Sequence, residues 1–240
     1  MISILDYFDE RPVPEFNISK HSDIHDSVKK STNLHIGSFS VIEQNVVLGE
    51  NVFIGNGVKI NAGCIIGDNS VIYDNVVLYD NTVIGENCII NAGTVIGSDG
   101  FGYHTVANEH HKIPHIKSVI IGNNVEIGAA CTIDRGVTAD TTIGSGSKLD
   151  NQIQVGHDTL IGKKCLIASQ TGIAGCCIIE DEVTIWGQVG TNSGITIGAK
   201  AVILGQTGVT KSVVGAKTYF GTPIQAVSYT HLTLPTIYSV

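Results

Sequence analysis

Residues 52–85, VFIGNGVKINAGCIIGDNSVIYDNVVLYDNTVIG, carry an aliphatic side chain at every sixth position. Outward from this stretch, the same register runs without error from Ile36 to Ile96. Neither an α-helix, with 3.6 residues per turn, nor a strand with alternating faces has a period of six. A six-residue repeat is typical of a parallel β-helix, in which each hexad makes a short strand and a turn and three hexads complete one coil.

The predicted fold is therefore all-β, with the aliphatic residues stacked inside about eight to nine coils and a small cap before Ile36. Two positions before each aliphatic residue, a smaller residue also points inward, and the turns carry Gly, Asn and Asp, which accept positive φ at low cost. Cys176 falls out of this phase and is expected to face outward. The other five cysteines occupy the small inward position and are expected to be buried core residues, not metal ligands: Cys64, Cys88, Cys131, Cys165 and Cys177.

Two segments interrupt the repeat: residues 98–118, SDGFGYHTVANEHHKIPHIKS, and residues 137–142, VTADTT. We expect both to be loops that leave the coil, and loops on rigid scaffolds often carry function. The longer loop contains four histidines whose irregular spacing matches no usual zinc pattern. No metal site is therefore predicted, and surface or subunit-contact positions are expected for these four, which are His104, His110, His111 and His115.

His157 is the only histidine that falls within a regular hexad after Ile36. It occupies the third position of its hexad, which faces outward near a turn. One coil contains eighteen residues, so Gly175 lies one coil above His157 and Ser193 lies one coil above Gly175, with about 4.8 Å between stacked strands. Acyl transfer needs at least a general base and a hydrogen-bond donor for the oxyanion, and an imidazole beside an unpaired backbone N–H provides both. The pattern alone leaves two interpretations open, this one and an ordinary surface histidine.

The composition of the chain argues against some classes of function. The formal net charge is −8, so we do not expect the chain to bind nucleic acid, whose phosphates require a basic protein surface. Neither a signal peptide nor an apolar run of about 18 residues is visible, so we expect a cytoplasmic protein without a membrane span.

Several motifs resemble the UDP-3-O-acylglucosamine N-acyltransferases of lipid A biosynthesis, within the hexapeptide-repeat acyltransferases. They are GSDGFGY (97–103), HKIPH (111–115), VIIGNNVEIGAACTIDRG (119–136), KLDNQIQVGHD (148–158), QTGIAG (170–175) and YFGTPIQ (219–225). The resemblance implies a left-handed parallel β-helix and a homotrimer with active sites between subunits. It also implies transfer of a hydroxyacyl group from acyl carrier protein to the 2-amine of a UDP-linked glucosamine.

The resemblance places the catalytic base on His157 and the oxyanion-binding N–H on Gly175. We assign substrate binding to Asp158, Ser193, Lys163 and Lys164, the lysines as candidates for steering an acidic carrier protein. Adjacent side chains on an extended chain point apart, which argues against Asp158 orienting the imidazole. No cofactor is expected beyond the thioester co-substrate.

The chain departs from the family pattern in three places. We expect residues 1–35 to be a short N-terminal segment and the family's globular uridine-binding domain to be largely absent, and Gly194 stands where the family usually has a further histidine. Residues 226–240, AVSYTHLTLPTIYSV, fit neither the hexads nor the family's C-terminal helices, and resemble translated vector sequence. We therefore expect the acyltransferase domain to span residues 36–225.

Other functions remain to be separated from this one. An acetyl-CoA-dependent sugar acetyltransferase shares the fold, and fold does not fix substrate. A non-catalytic β-helix paralogue is a third possibility. A γ-type carbonic anhydrase is excluded, because it needs three coil histidines for each zinc and the hexads hold one.

Overall fold

Three parallel sheets form the sides of a β-helix in the computed structural model, which describes residues 16–227. No helix occurs within these residues, and therefore none that could cross a membrane. Each sheet takes every third strand of the coil in chain order, so successive strands of one sheet are one coil apart. The predicted parallel β-helix is confirmed.

The strands of the first face are Asp23–Ile24, Val41–Ile42, Lys59–Ile60, Val77–Leu78, Val95–Asp99, Thr132–Arg135, Gln154–Val155, Gly172–Ile173, Gly190–Thr191 and Gly208–Val209. Those of the second face are Lys29–Lys30, Val47–Leu48, Ile65–Ile66, Val83–Ile84, Val119–Ile121, Thr141–Ile143, Leu160–Ile161, Ile178–Ile179 and Thr196–Ile197. Those of the third face are His35–Ile36, Phe53–Ile54, Val71–Ile72, Ile89–Ile90, Glu126–Ile127, Lys148–Leu149, Leu166–Ile167, Thr184–Ile185, Val202–Ile203, Thr218–Phe220 and Gln225–Ala226.

The core consists of the aliphatic ladders that the six-residue period predicts. On the first face, for example, Ile42 pairs with Ile60 and Ile60 pairs with Leu78, and all three are at most 1% exposed. Apart from Lys30 and Thr191, each coil therefore contributes one large aliphatic side chain per face to a continuous interior. Burial of such side chains stabilises a protein by about 1.5–3 kcal/mol each.

The small inward residues also anchor the turns. The hydroxyl of Ser40 donates to the carbonyl of Gly55, fifteen residues later, at 2.8 Å. The thiols of Cys64 and Cys165 make the equivalent contact with the carbonyls of Tyr79 and Glu180, both at 3.2 Å. The five in-phase cysteines are buried and Cys176 is exposed, as predicted. Serine, threonine and cysteine thus share this position because each is small and carries a donor.

The coil begins earlier than predicted. Asp23 and Ile24 pair with Val41 and Ile42, and Ile18 forms a bridge with Ile36. The described part of the predicted 1–35 segment is therefore β-helix rather than a cap, and the first face has ten strands where eight to nine coils were expected. Among residues 16–227 the strand Lys29–Lys30 pairs on one side, with Val47–Leu48, and both lysines are exposed, so Lys30 departs from the aliphatic pattern.

At the other end, Gln225–Ala226 pairs antiparallel with Tyr219–Phe220. Residues 1–15 and 228–240 lie outside the described residues, and so does most of the segment predicted to be non-native.

Candidate active site

His157 and Asp158 lie in the turn that follows the strand Gln154–Val155. Asp158 has φ of +56°, in the left-handed region, and this backbone conformation brings its carboxylate back toward the imidazole of His157. The Nδ1 atom of His157 and the Oδ2 atom of Asp158 are 2.8 Å apart. The expectation that these adjacent side chains point apart was wrong, because the chain is not extended at this turn.

Asp158 also anchors the loop at residues 137–140, which is shorter than predicted because Thr141 and Thr142 belong to the strand Thr141–Ile143. Its carboxylate accepts hydrogen bonds from the backbone N–H groups of Val137, Thr138 and Ala139, each at 2.8 Å. Burial alone would raise the pKa of Asp158, but these amides and the imidazole together hold that pKa well below its usual range. An ionised carboxylate can only accept, so the neutral ring of His157 donates through Nδ1–H, and its Nε2 has no hydrogen-bond partner within residues 16–227. Both Asp158 oxygens accept hydrogen bonds within the protein, which suits a residue that positions the imidazole. The predicted role of Asp158 in substrate binding stays a prediction.

We expect Asp158→Ala to lower stability by roughly 1–3 kcal/mol at pH 7, because three loop amides lose their acceptor. The native pKa is depressed, so the carboxylate stabilises the fold above its unfolded pKa of about 3.9, and this contribution is lost as pH falls. Thermal unfolding of the variant and the unsubstituted protein from pH 7 to pH 3 measures the effect. The difference between the two unfolding midpoints should become smaller below about pH 4. A difference that does not change with pH would contradict the depressed pKa of Asp158.

Gly175 lies one coil above His157, as the eighteen-residue spacing predicts. A Cβ atom at residue 175 would lie 2.7 Å from Nε2 and 2.9 Å from Cε1 of His157. The imidazole therefore rests against the bare Cα of Gly175, in space that no other residue type leaves free. Within residues 16–227, the N–H of Gly175 makes no hydrogen bond. A free imidazole nitrogen and a free backbone N–H thus lie side by side.

Thr191 stands where the six-residue register that contains Ile185 and Ile197 calls for an aliphatic residue, and its strand Gly190–Thr191 lies one coil above Gly172–Ile173. Its hydroxyl accepts the N–H of Ala174 at 2.9 Å. In the neighbouring coils the equivalent N–H donates to a ladder carbonyl, as Gly156 does to Ile173 and Asn192 to Val209. Thr191 therefore marks a local break in the ladder beside Gly175.

The site opens into a cleft of about 570 Å³. The beginning of the 98–118 loop folds back over the coil and forms one wall, while the hairpin Tyr103–Val106 and Glu109–Lys112 projects from it. The predicted protruding loop is confirmed only for the hairpin. The cleft is lined by Asp99, Gly100, Phe101, Tyr103, Asp134, Gln154, Gly156, His157, Ile173, Ala174, Gly175 and Ser193.

His115 is placed differently from the prediction. It is 5% exposed, whereas the other three loop histidines are exposed. Its ring meets the His157 ring edge to face, with centroids 5.3 Å apart. The chain returns from the hairpin to the coil at this point, which packs residue 115 against the turn that contains His157.

The remaining predicted residues divide into two groups. Ser193 lines the cleft, whereas Lys163 and Lys164 are exposed and do not line it. Cys176 brings its thiol close to His157 and Asp158, with their potential ligand atoms all within 4.8 Å of one another. Nδ1 and the carboxylate already bond to each other, so this group fits a hydrogen-bonded pair better than a metal centre.

Comparison with protein families first supports the repeat. Residues 63–98 match the model of the bacterial transferase hexapeptide (six repeats), and residues 40–80 match that of the hexapeptide repeat of succinyl-transferase. Among solved structures, an Arabidopsis UDP-N-acetylglucosamine acyltransferase superposes with a TM-score of 0.80 at 24% identity, over 88% of this chain and 73% of that one. One from Bacteroides fragilis superposes with a TM-score of 0.72 at 27% identity, over 88% and 74%. The fold is the predicted left-handed parallel β-helix.

The curated relatives described next are both UDP-3-O-acylglucosamine N-acyltransferases. The UDP-3-O-acylglucosamine N-acyltransferase of Campylobacter lari is 50% identical over 131 residues, which is 54% of this chain and 41% of the relative. That of Methylobacterium nodulans is 44% identical over 135 residues, 56% of this chain and 38% of the relative. The chain thus spans about two fifths of the length of these relatives. The resemblance to UDP-3-O-acylglucosamine N-acyltransferases is therefore confirmed as homology over about half of this chain.

Proposed function

We propose that this chain is an N-acyltransferase of lipid A biosynthesis. It moves a hydroxyacyl group from the thioester of acyl carrier protein to the 2-amine of a UDP-linked glucosamine. The observation that carries the proposal is the column of His157 and Gly175, with a free Nε2 beside an unpaired backbone N–H at the base of a cleft. The names of the curated relatives supply the substrate class.

The reaction follows from this geometry. The acceptor amine attacks the thioester carbonyl carbon while the Nε2 atom of His157 takes a proton from the amine. Neutral imidazole suits this task near pH 7, and Asp158 stabilises the imidazolium that forms. The N–H of Gly175 donates to the oxyanion, an interaction of the kind that contributes about 3 kcal/mol to the barrier reduction. When the C–S bond breaks, the proton on Nε2 passes to the leaving thiolate.

The donor, the assembly and the location belong to the same proposal. Lys163 and Lys164 are exposed lysines on an acidic chain, which suits the approach of an acidic carrier protein. Leu166 and Trp186 expose about half of their surface on the third face, which is an apolar surface that a second subunit of a homotrimer could cover. A cytoplasmic location fits a thioester donor of this kind.

A donor comparison tests the proposal. The protein is incubated with UDP-3-O-acylglucosamine and, in parallel, with hydroxyacyl carrier protein, the matching hydroxyacyl-CoA and acetyl-CoA, and products are followed by mass spectrometry. We expect transfer from the carrier protein to exceed transfer from either CoA thioester. Turnover with acetyl-CoA alone would identify a sugar acetyltransferase instead, and no turnover with any donor would favour a non-catalytic paralogue.

A further inference from the structure

Ser193 is the third member of the column that contains His157 and Gly175. The N–H of Cys176 donates to the carbonyl of His157 at 2.7 Å. In the same way, the N–H of Gly194 donates to the carbonyl of Gly175 at 3.1 Å. These bonds stack the turns of residues 157, 175 and 193 on successive coils, along one edge of the β-helix.

The position between the imidazole and Ser193 is open because residue 175 has no side chain. A Cβ atom at Gly175 would meet the imidazole first, with the Nε2 atom of His157 at 2.7 Å. All three residues of the column line the cleft, and Ser193 is exposed. A group that enters the cleft above Nε2 therefore lies between the base and the side chain of Ser193.

The hydroxyl of Ser193 has no hydrogen-bond partner in the described part of the chain, residues 16–227. Ser145 occupies the same position of its hexad on another edge of the coil, and its hydroxyl oxygen accepts the N–H of Asn123, one coil below, at 3.0 Å. A serine at this position therefore reaches the N–H of the residue below it. Beneath Ser193 that N–H belongs to Gly175, and among the same residues it is also unpaired.

Two donors on successive coils can share one acceptor oxygen. Stacked strands are about 4.8 Å apart, and a hydrogen bond to oxygen spans about 2.7–3.0 Å between donor and acceptor atoms. Two such bonds together are longer than the coil spacing, so an oxygen between Gly175 and Ser193 can accept from both. The reaction supplies such an oxygen, because the thioester carbonyl oxygen becomes negatively charged when the amine attacks.

We propose that the hydroxyl of Ser193 is the second donor to the oxyanion, beside the N–H of Gly175. During attack, the electron pair of the C=O π bond moves onto the carbonyl oxygen, and the O–H of Ser193 donates a hydrogen bond to it without losing its proton. The C=O bond forms again when the C–S bond breaks. Such a donor stabilises the transition state more than the bound substrate. This inference rests on the proposed function and adds a catalytic residue to it.

Steady-state rates of Ser193→Ala with carrier-protein donor test this role. We expect kcat to fall about 10- to 100-fold with little change in KM for either substrate, a smaller loss than for a buried oxyanion donor because Ser193 is exposed. Ser193→Thr keeps the hydroxyl and should restore most of the rate. The unfolding midpoint of Ser193→Ala should stay close to that of the unsubstituted protein, because the substitution removes no hydrogen bond of the free protein.

Ser145→Ala is the matched control. It removes a hydroxyl from the same hexad position, but that hydroxyl binds the N–H of Asn123 and lies outside the cleft. This variant should unfold at a lower temperature and keep its rate, the opposite of the result expected for Ser193→Ala.

Three results would overturn the role of Ser193 while leaving the proposed function intact. They are an unchanged or increased kcat in Ser193→Ala, a rise in its KM alone, and no recovery of the rate in Ser193→Thr. An unsubstituted protein without activity would instead overturn the proposed function, and this role with it.

Discussion

Replacement of His157 by alanine is expected to lower acyl transfer by roughly 10²- to 10⁴-fold, the usual contribution of a positioned general base. The imidazole Nε2 is the free base beside Gly175, and no other described imidazole lines the cleft. The side chain lies in a turn outside the aliphatic core, so the variant should fold with an unfolding midpoint close to that of the unsubstituted protein. Initial rates with carrier-protein donor measure the loss.

His157→Asn separates proton transfer from polarity. Asparagine keeps a polar side chain at the turn but has no basic nitrogen, so its activity should fall as far as that of His157→Ala. An asparagine variant with most of the original rate would show that the imidazole only fills space, and the mechanism would then be wrong.

Replacement of Gly175 by alanine should have the second large effect. The new methyl group would lie within 3.0 Å of three imidazole atoms, so the ring of His157 must leave its position over residue 175. We expect a loss of at least about 10²-fold in kcat, because both the base and the N–H donor are misplaced. Rates at saturating acceptor isolate this effect from substrate binding.

Gly190→Ala is its control. Gly190 lies on the same face as Gly172, and a Cβ atom there would meet nothing within 4 Å. Its activity and stability should stay close to those of the unsubstituted protein. If Gly175→Ala were as active as Gly190→Ala, the packing of the imidazole against residue 175 would have no catalytic importance.

The sequence predicted the features that depend on spacing alone. A period of six and a coil of eighteen residues place His157 below Gly175 whatever the local detail, and the aliphatic and cysteine positions follow in the same way. The early start of the coil escaped prediction, because Lys30 stands where the register before Ile36 calls for an aliphatic residue.

The features that depend on local backbone conformation were missed. Asp158 reaches His157 only because residue 158 is in the left-handed region, which the residue type permits but does not dictate. His115 is buried because the 98–118 loop folds back on the coil, a long-range contact that has no periodic signal. Thr191 did leave a signal, the break in the aliphatic series, and such a lapse in an otherwise regular repeat is a useful indicator of a site.

The most direct measurement determines which atom of the acceptor receives the acyl group. The unsubstituted protein and His157→Ala are incubated with hydroxyacyl carrier protein and UDP-3-O-acylglucosamine, and the product is sequenced by tandem mass spectrometry before and after mild alkaline hydrolysis. The account predicts an amide at the 2-nitrogen that survives hydrolysis and whose formation depends on His157. An alkali-labile ester on a sugar oxygen, or equal product from the His157→Ala variant, would contradict it.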